Sequence, residues 1–168
     1  MISMTSRKAG LLILVLACLA AVAACGSSNN TSSGAGSNPT GPVTVATRSG
    51  PMGTYLTDGQ GRSLYLFVAD TSGTSTCTGA CATQWPPLIT SGTPQAGSGV
   101  TASMLSTVAR ADGTKQVTYG NHPLYLFTGD NAAGDTNGQG VNAFGALWWL
   151  VSPSGSAITT AASPTGGY

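Results

Sequence analysis

The sequence predicts an all-β domain made of two tandem antiparallel β-meander repeat units packed together, with little helix. Three observations predict it. The string Leu64-Tyr65-Leu66-Phe67-Val68-Ala69-Asp70 recurs 60 residues later as Leu124-Tyr125-Leu126-Phe127-Thr128-Gly129-Asp130. Apolar runs are short and bounded by Gly, Asn, Asp and Pro, and Gly alone supplies 24 of 168 residues, which marks a turn-rich β protein. Charge is scarce, with six Lys+Arg, five Asp and no Glu. That is too little for long helices with Glu/Lys faces or for a coiled coil. A formal net charge of +1 also excludes an electrostatic grip on nucleic acid.

The first element is a targeting segment, residues 1–24. Arg7 and Lys8 form a positive start, and Ala9 to Ala24 is an uncharged, mostly apolar run of 16 residues. A transmembrane helix needs about 20, and the run ends in small residues as a secretory signal does. Val22-Ala23-Ala24-Cys25-Gly26 resembles a bacterial lipobox. The resemblance implies cleavage before Cys25 and acylation of its thiol, so that palmitate-type chains hold the protein to the extracytoplasmic face of the cell membrane. Two or three acyl chains, at about 0.8 kcal/mol per buried CH₂, make a firm anchor.

Residues 25–42 follow as the lipidated Cys and a linker. Gly26 to Pro42 carries no apolar side chain larger than Ala or Pro, so it cannot bury a core and reads as a flexible tether. Its mean reach is about 20–25 Å. From Cys25 onward, four Lys+Arg face five Asp, a net charge of −1. Solubility therefore falls to Ser, Thr, Asn and Gly.

The β domain is expected over residues 43–153, its repeats at about 43–89 and 107–151. Each repeat opens with a β-prone run: Thr54-Tyr55-Leu56-Thr57 in the first, Gln116-Val117-Thr118-Tyr119 in the second. A turn follows, then the Leu-Tyr-Leu-Phe strand. In that strand Leu64 and Leu66 point one way, Tyr65 and Phe67 the other. Both faces are apolar, so the strand and its twin should be covered on both sides. A Trp run closes each unit, Trp85 to Ile89 and Leu147 to Val151. Asp112-Gly113 predicts a hairpin joining Thr107–Arg110 to Lys115–Tyr119. Helix is expected only at Thr101–Leu105, with Thr101 as N-cap. Residues 154–168, rich in Gly, Ser, Thr and Ala, read as a frayed, flexible tail.

Many of these strings resemble a family of bacterial secreted lipoproteins with a repeated Tyr-x-(Phe/Trp/Tyr)-x-x-Asp motif, the secreted repeat of unknown function. The similarity runs through Tyr65 to Asp70, Cys77-Thr-Gly-Ala-Cys81, Trp85 to Leu88, Val108 to Gly113, Gln116 to Tyr119, Pro123 to Asp130 and Gly134 to Gly140. It spans about Met52 to Gly155. Asn142-Ala-Phe-Gly-Ala-Leu departs from it, being longer than the expected approach to Trp148. The resemblance implies an exported lipoprotein and brings no established activity.

The residues themselves favour a structural or binding role over catalysis. There is one His, His122, no Glu, and no nucleophile elbow, Walker loop or H-E-x-x-H. The motif residues Tyr65, Phe67, Asp70, Tyr125, Phe127 and Asp130 are expected to be structural. Each Asp ends a buried strand, where a carboxylate accepts turn N–H groups. Cys77 and Cys81, an even pair in an exported chain, are expected to form a disulfide. The alternative is an envelope redox or copper protein using Cys77, Cys81 and His122, a soft set suited to Cu(I). Asp130, Asp135 and Asn137 offer hard oxygens to Ca²⁺, although the following acidic ligands of an EF-hand are missing and a solvated turn is preferred. The aromatics could form a face for a sugar, a peptide or an envelope protein, but a domain this small needs most of them in its core.

Overall fold

The computed structural model describes residues 41–160, which belong to one compact unit. The signal, Cys25 and most of the linker lie outside the described residues. Among the described residues, nine short strands form three small sheets. β1 (Thr44–Gly50) is flanked by β2 (Gly53–Asp58) and β4 (Gln95–Ala96). β9 (Ala146–Leu150) lies between β3 (Tyr65–Phe67) and β8 (Asn142–Ala143). β6 (Lys115–Tyr119) lies between β5 (Leu105–Ala109) and β7 (His122–Pro123). All pairings are antiparallel except β1 with β4.

The two repeats share one bonding pattern. In the first, the Leu56 N–H donates to the Val151 carbonyl at 2.8 Å, Val151 to Leu64 at 3.3 Å and Leu64 to Leu56 at 3.0 Å. In the second, Val117 donates to Leu88 at 2.8 Å, Leu88 to Leu124 at 2.9 Å and Leu124 to Val117 at 2.9 Å. Each cycle is thus closed by a residue from the other repeat. The Trp-bearing run of each unit crosses over to pair with its partner's Leu-Tyr-Leu-Phe run. Trp85 accordingly meets Tyr65 of the first unit edge-on and stacks on Phe127 of the second.

The alternation along the repeated strand separates two cores. Leu64 and Leu66 join an aliphatic cluster with Val45, Leu56, Leu88, Val117, Leu124 and Val151. Tyr65 and Phe67 join an aromatic one with Tyr55, Trp85, Tyr125 and Trp148. Each such large apolar side chain taken out of water contributes about 1.5–3 kcal/mol.

The twin strands differ in regularity. β3 pairs in full with β9, Tyr65 opposite Leu150, Leu66 opposite Trp149 and Phe67 opposite Trp148. Around Tyr125 the ladder is reduced to isolated bridges to Tyr65 and Pro87, and Leu126 and Phe127 are only half-buried. The cause lies in the crossing segment. Pro86 and Pro87 stand where the other unit has Trp149 and Leu150, and proline has no N–H to donate to a ladder.

Three expectations need correction. Helix α1 (Ala80–Gln84) was not expected, since five residues of Ala, Cys, Thr and Gln carry no periodicity. Residues 102–104 form a 3-10 turn, but Thr101 makes no side-chain cap bond. The tail does not fray at Ser154. Val151 bridges Ala157, and the Ile158 N–H donates to the Leu150 carbonyl at 2.9 Å, because Ser152 to Ser156 turn the chain back beside β9. Asp112-Gly113 does form the β5–β6 turn, Gly113 taking φ +82°.

Candidate functional site

The repeated motif converges on one place, where the two units meet. Tyr65 and Tyr125 form a reciprocal backbone pair, each N–H donating to the other's carbonyl at 2.9 Å. An approximate two-fold axis thus relates the units at this pair. From it the side chains cross over. The Tyr65 hydroxyl donates to Asp130 Oδ2 at 2.7 Å, and the Tyr125 hydroxyl donates to Asp70 Oδ2. Each motif Tyr therefore serves the motif Asp of the other repeat.

The second oxygen of each Asp anchors the loop that follows it. Asp70 Oδ1 accepts from the Thr76 N–H and hydroxyl, both at 2.7 Å. Asp130 Oδ1 accepts from the Asn137 N–H at 2.8 Å. The carboxylates do receive backbone N–H groups, but six and seven residues on rather than two. These bonds span a whole loop, which a local Asx-turn does not.

Around the tyrosines stands a column of four stacked rings, Phe67, Trp148, Trp85 and Phe127. Neighbouring centroids are 4.2, 4.0 and 4.2 Å apart. Tyr65 meets Trp85 edge-on at 5.4 Å, and Tyr125 meets Trp148 edge-on at 5.1 Å, an orientation that suits the ring quadrupoles. Gly138 lets the chain close over this column. A Cβ there would lie 2.8 Å from the Trp85 ring and 2.9 Å from Tyr65.

Burial, followed by the neighbouring carboxylate, pushes both phenols above their ordinary value. Each hydroxyl stands as a neutral donor to its carboxylate. Burial likewise raises the Asp130 carboxyl, against the lowering effect of its Tyr65 and Asn137 bonds. Asp112, in the exposed turn, is lowered by the Thr114 hydroxyl and N–H.

The Tyr125 side carries an extra layer. Ser75 Oγ lies 2.7 Å from the Tyr125 hydroxyl. The Arg110 guanidinium, 6% exposed, donates to Ser75 Oγ, to Gln116 Oε1 at 2.6 Å and to the Cys77 carbonyl at 2.7 Å. The Gln116 amide donates onward to the Leu124 carbonyl at 2.8 Å. In the first unit Tyr55 takes the position of Gln116, and its hydroxyl donates to the Gly134 carbonyl at 3.2 Å. Sequence reasoning gave Ser75, Thr76, Arg110 and Gln116 no role, and considered Asn137 only as a Ca²⁺ ligand rather than as the donor to Asp130. The available signal was Arg110, one of only four basic residues after the signal.

The Cys77 and Cys81 sulfurs are disulfide-bonded, with Cα atoms 5.3 Å apart. Both residues are buried. Gly79 between them takes φ +55°, a conformation that costs glycine little. The bridge pins the start of α1, and the Trp85 N–H donates to the Cys81 carbonyl at 2.7 Å, so it helps place Trp85. His122 is not brought to this pair; it lies in β7 opposite Tyr119. No group of three His, Cys, Asp or Glu among the described residues is arranged to hold a metal. In the loop considered for Ca²⁺, Asp135 Oδ2 accepts from the Asn131 and Ala132 N–H groups, each at 2.9 Å. Asp130 spends Oδ1 on the Asn137 N–H and Oδ2 on the Tyr65 hydroxyl.

A groove of about 560 Å³ opens beside the clamp, lined in part by Asp58, Arg62, Pro86, Phe127, Thr128 and Asp130. Asp58 is buried and paired with Arg62, Nε to Oδ2 at 2.8 Å.

The fold and clamp define a class, a β domain of two interlocked repeats joined through a Tyr–Asp motif. The chain belongs to the family described as secreted repeat of unknown function, which matches residues 46–89 and 106–152, one match to each unit. No curated protein and no solved structure matches the chain. Among the described residues no helix is long and apolar enough to cross a membrane.

Proposed function

We propose that the chain is a lipid-anchored, non-enzymatic module on the extracytoplasmic face of the membrane, which holds a ligand or envelope partner in the groove beside Asp58 and Asp130. The observation that carries this reading is where the motif's polar groups go. Both tyrosine hydroxyls, both motif carboxylates and the Arg110 guanidinium bond inside the domain, to one another, to backbone, or to the Ser75, Thr76 and Gln116 side chains. The motif is then a clamp, and contact with other molecules falls to the groove. Its wall mixes the half-buried Phe127 ring and Pro86 with carboxylates and the Arg62 guanidinium, a combination suited to a polar ligand with an apolar face. The lipid anchor rests on the lipobox-like Val22 to Cys25.

Two measurements test it. Cys25→Ser should abolish labelling by palmitate and move the protein out of the membrane fraction. Retention without label would overturn the anchor. In the groove, Thr128→Trp should fill space without touching the clamp. Glycan and peptide mixtures that shift resonances of Gln60 and Phe127 in the wild type should fail to do so in the variant. Turnover of any added substrate that depends on Asp70 or Asp130 would overturn the non-enzymatic reading.

A further inference from the structure

The approach to Trp148 is where the second repeat departs from the first. Trp85 follows its motif Asp by 15 residues, whereas Trp148 follows its own by 18. The first unit uses the disulfide and α1 here. The second uses the β8–β9 hairpin, turning at Phe144-Gly145. Phe144 has φ +58° and Gly145 φ +90°. Two positive φ values in a two-residue hairpin turn call for Asn-Gly or Gly-Gly, and a bulky ring in the left-handed region is strained. The residue is left 45% exposed, and a Cβ at Gly145 would meet nothing within 4 Å. The other two exposed large apolar side chains of the described residues lie on the same hairpin or on the segment bonded to it. Leu147, 36% exposed, lies on the same hairpin, and Val68, 50% exposed, donates its N–H to the Leu147 carbonyl at 3.0 Å. The first unit reaches its Trp without such a tip, and strain at a bulky, half-exposed residue points to function.

We propose that Phe144, with Leu147 and Val68, is a wedge that enters the lipid bilayer to which the chain is tethered. This rests on the lipid anchor at Cys25 proposed above. Three features select lipid as the occupant. The Gly26–Pro42 stretch is short enough, at about 20–25 Å mean reach, to hold the domain beside the bilayer. There is no charged side chain from Thr136 to Tyr168, and only the buried Asp70 between Arg62 and Arg110, so the segments that carry the tip bring no exposed charge of their own to oppose entry into the acyl region. Three side chains on a protruding turn fall far short of the ~20–30 residues a side of a stable protein interface. With so little charge, the contact is apolar and insensitive to salt.

The test uses the full lipidated chain in phosphatidylcholine vesicles, with and without bromine on the acyl chains. Phe144→Trp places an indole at the tip. Its added emission should be quenched by bromine roughly twofold more than the wild-type background, equally at low and high salt. Flotation of the same sample reports the anchor separately. A chain that fails to float refutes the anchor, and the wedge falls with it. A chain that floats while the added indole stays unquenched overturns the wedge alone, and emission that changes with protein density instead assigns the tip to a second copy. Phe144→Asn supplies the control, since Asn tolerates the left-handed region. It should melt no lower than the wild type and should lose the slowing of amide exchange at residues 142–147 that vesicles impose. A lower melting temperature would show the ring to be part of the core and overturn the proposal.

Discussion

Each motif tyrosine is bonded to the aspartate 65 or 55 positions away, not to the one five positions away in its own motif. This makes a directional prediction. In a double-mutant cycle, Tyr65→Phe should couple to Asp130→Asn and Tyr125→Phe to Asp70→Asn, each by about 1 kcal/mol. Tyr65→Phe with Asp70→Asn should be additive. Denaturant unfolding of the single and double variants measures all three, and coupling within one motif would contradict the crossed arrangement. The two shifted carboxyls also give pH effects of opposite sign. Asp130 is raised, so the folded protein holds its proton more tightly, and this contribution to stability is lost as pH rises through its folded value, above 3.8. Asp112 is lowered, so its contribution is present above 3.8 and lost as pH falls through its folded value. Stability measured from pH 3 to 6 should therefore change more steeply downward with rising pH in Asp112→Asn, and flatten in Asp130→Asn, relative to the wild type.

At the scale of elements, the Cys77–Cys81 bridge and Arg110 both fix the approach to α1, and they should matter unequally. A four-residue separation closes a loop so small that chain entropy gives about 2 kcal/mol at most. Arg110 is buried and serves Ser75, Gln116 and the Cys77 carbonyl at once. Its removal leaves Gln116 Oε1 and the Cys77 carbonyl without their donor, at roughly 3 kcal/mol. Cys77→Ser with Cys81→Ser should thus keep the fold and lose less stability than Arg110→Ala. Near-ultraviolet circular dichroism of the Trp column and thermal melts would report both. The strands at Gly53–Asp58, Tyr65–Phe67, Leu105–Ala109, Lys115–Tyr119 and Ala146–Leu150, the Asp112-Gly113 turn and the alternation of Leu64/Leu66 against Tyr65/Phe67 were legible because period and turn chemistry are local, whereas β1, with few large apolar side chains, was not. Helix α1 was not, since its five residues are held by a disulfide and a distant Arg110. Nor was the pairing of Tyr65 with Asp130 legible, since one sequence shows two copies of a motif without showing which carboxylate each hydroxyl meets. The ladder around Tyr125 could have been anticipated: Pro86-Pro87 was in view, but its partner strand was not.

At the scale of the molecule, the exchanged Trp runs make the two repeats interdependent. Removing residues 105–160 would take away β9, and with it the Val151 and Leu150 cover of Leu56, Leu64, Tyr65 and Phe67, all nearly or fully buried in the intact domain. The first unit would also lose the Asp130 acceptor for Tyr65 and the Tyr125 donor for Asp70. Removing residues 41–90 would expose Val117, Leu124 and Tyr125 in the same way. Neither unit should then fold alone, although each carries a full copy of the repeat. A backbone cut is a different matter. Gly113 sits in an exposed turn with nothing within 4 Å of a Cβ, and a break between Asp112 and Gly113 severs no core contact. A protease site placed there should therefore yield two fragments that stay together on a sizing column and keep the near-ultraviolet signal of stacked Trp85 and Trp148. Either fragment alone should be unfolded, and mixing the two should restore the signal. A first unit that unfolds cooperatively by itself would show that the exchange of strands is incidental to stability rather than its basis.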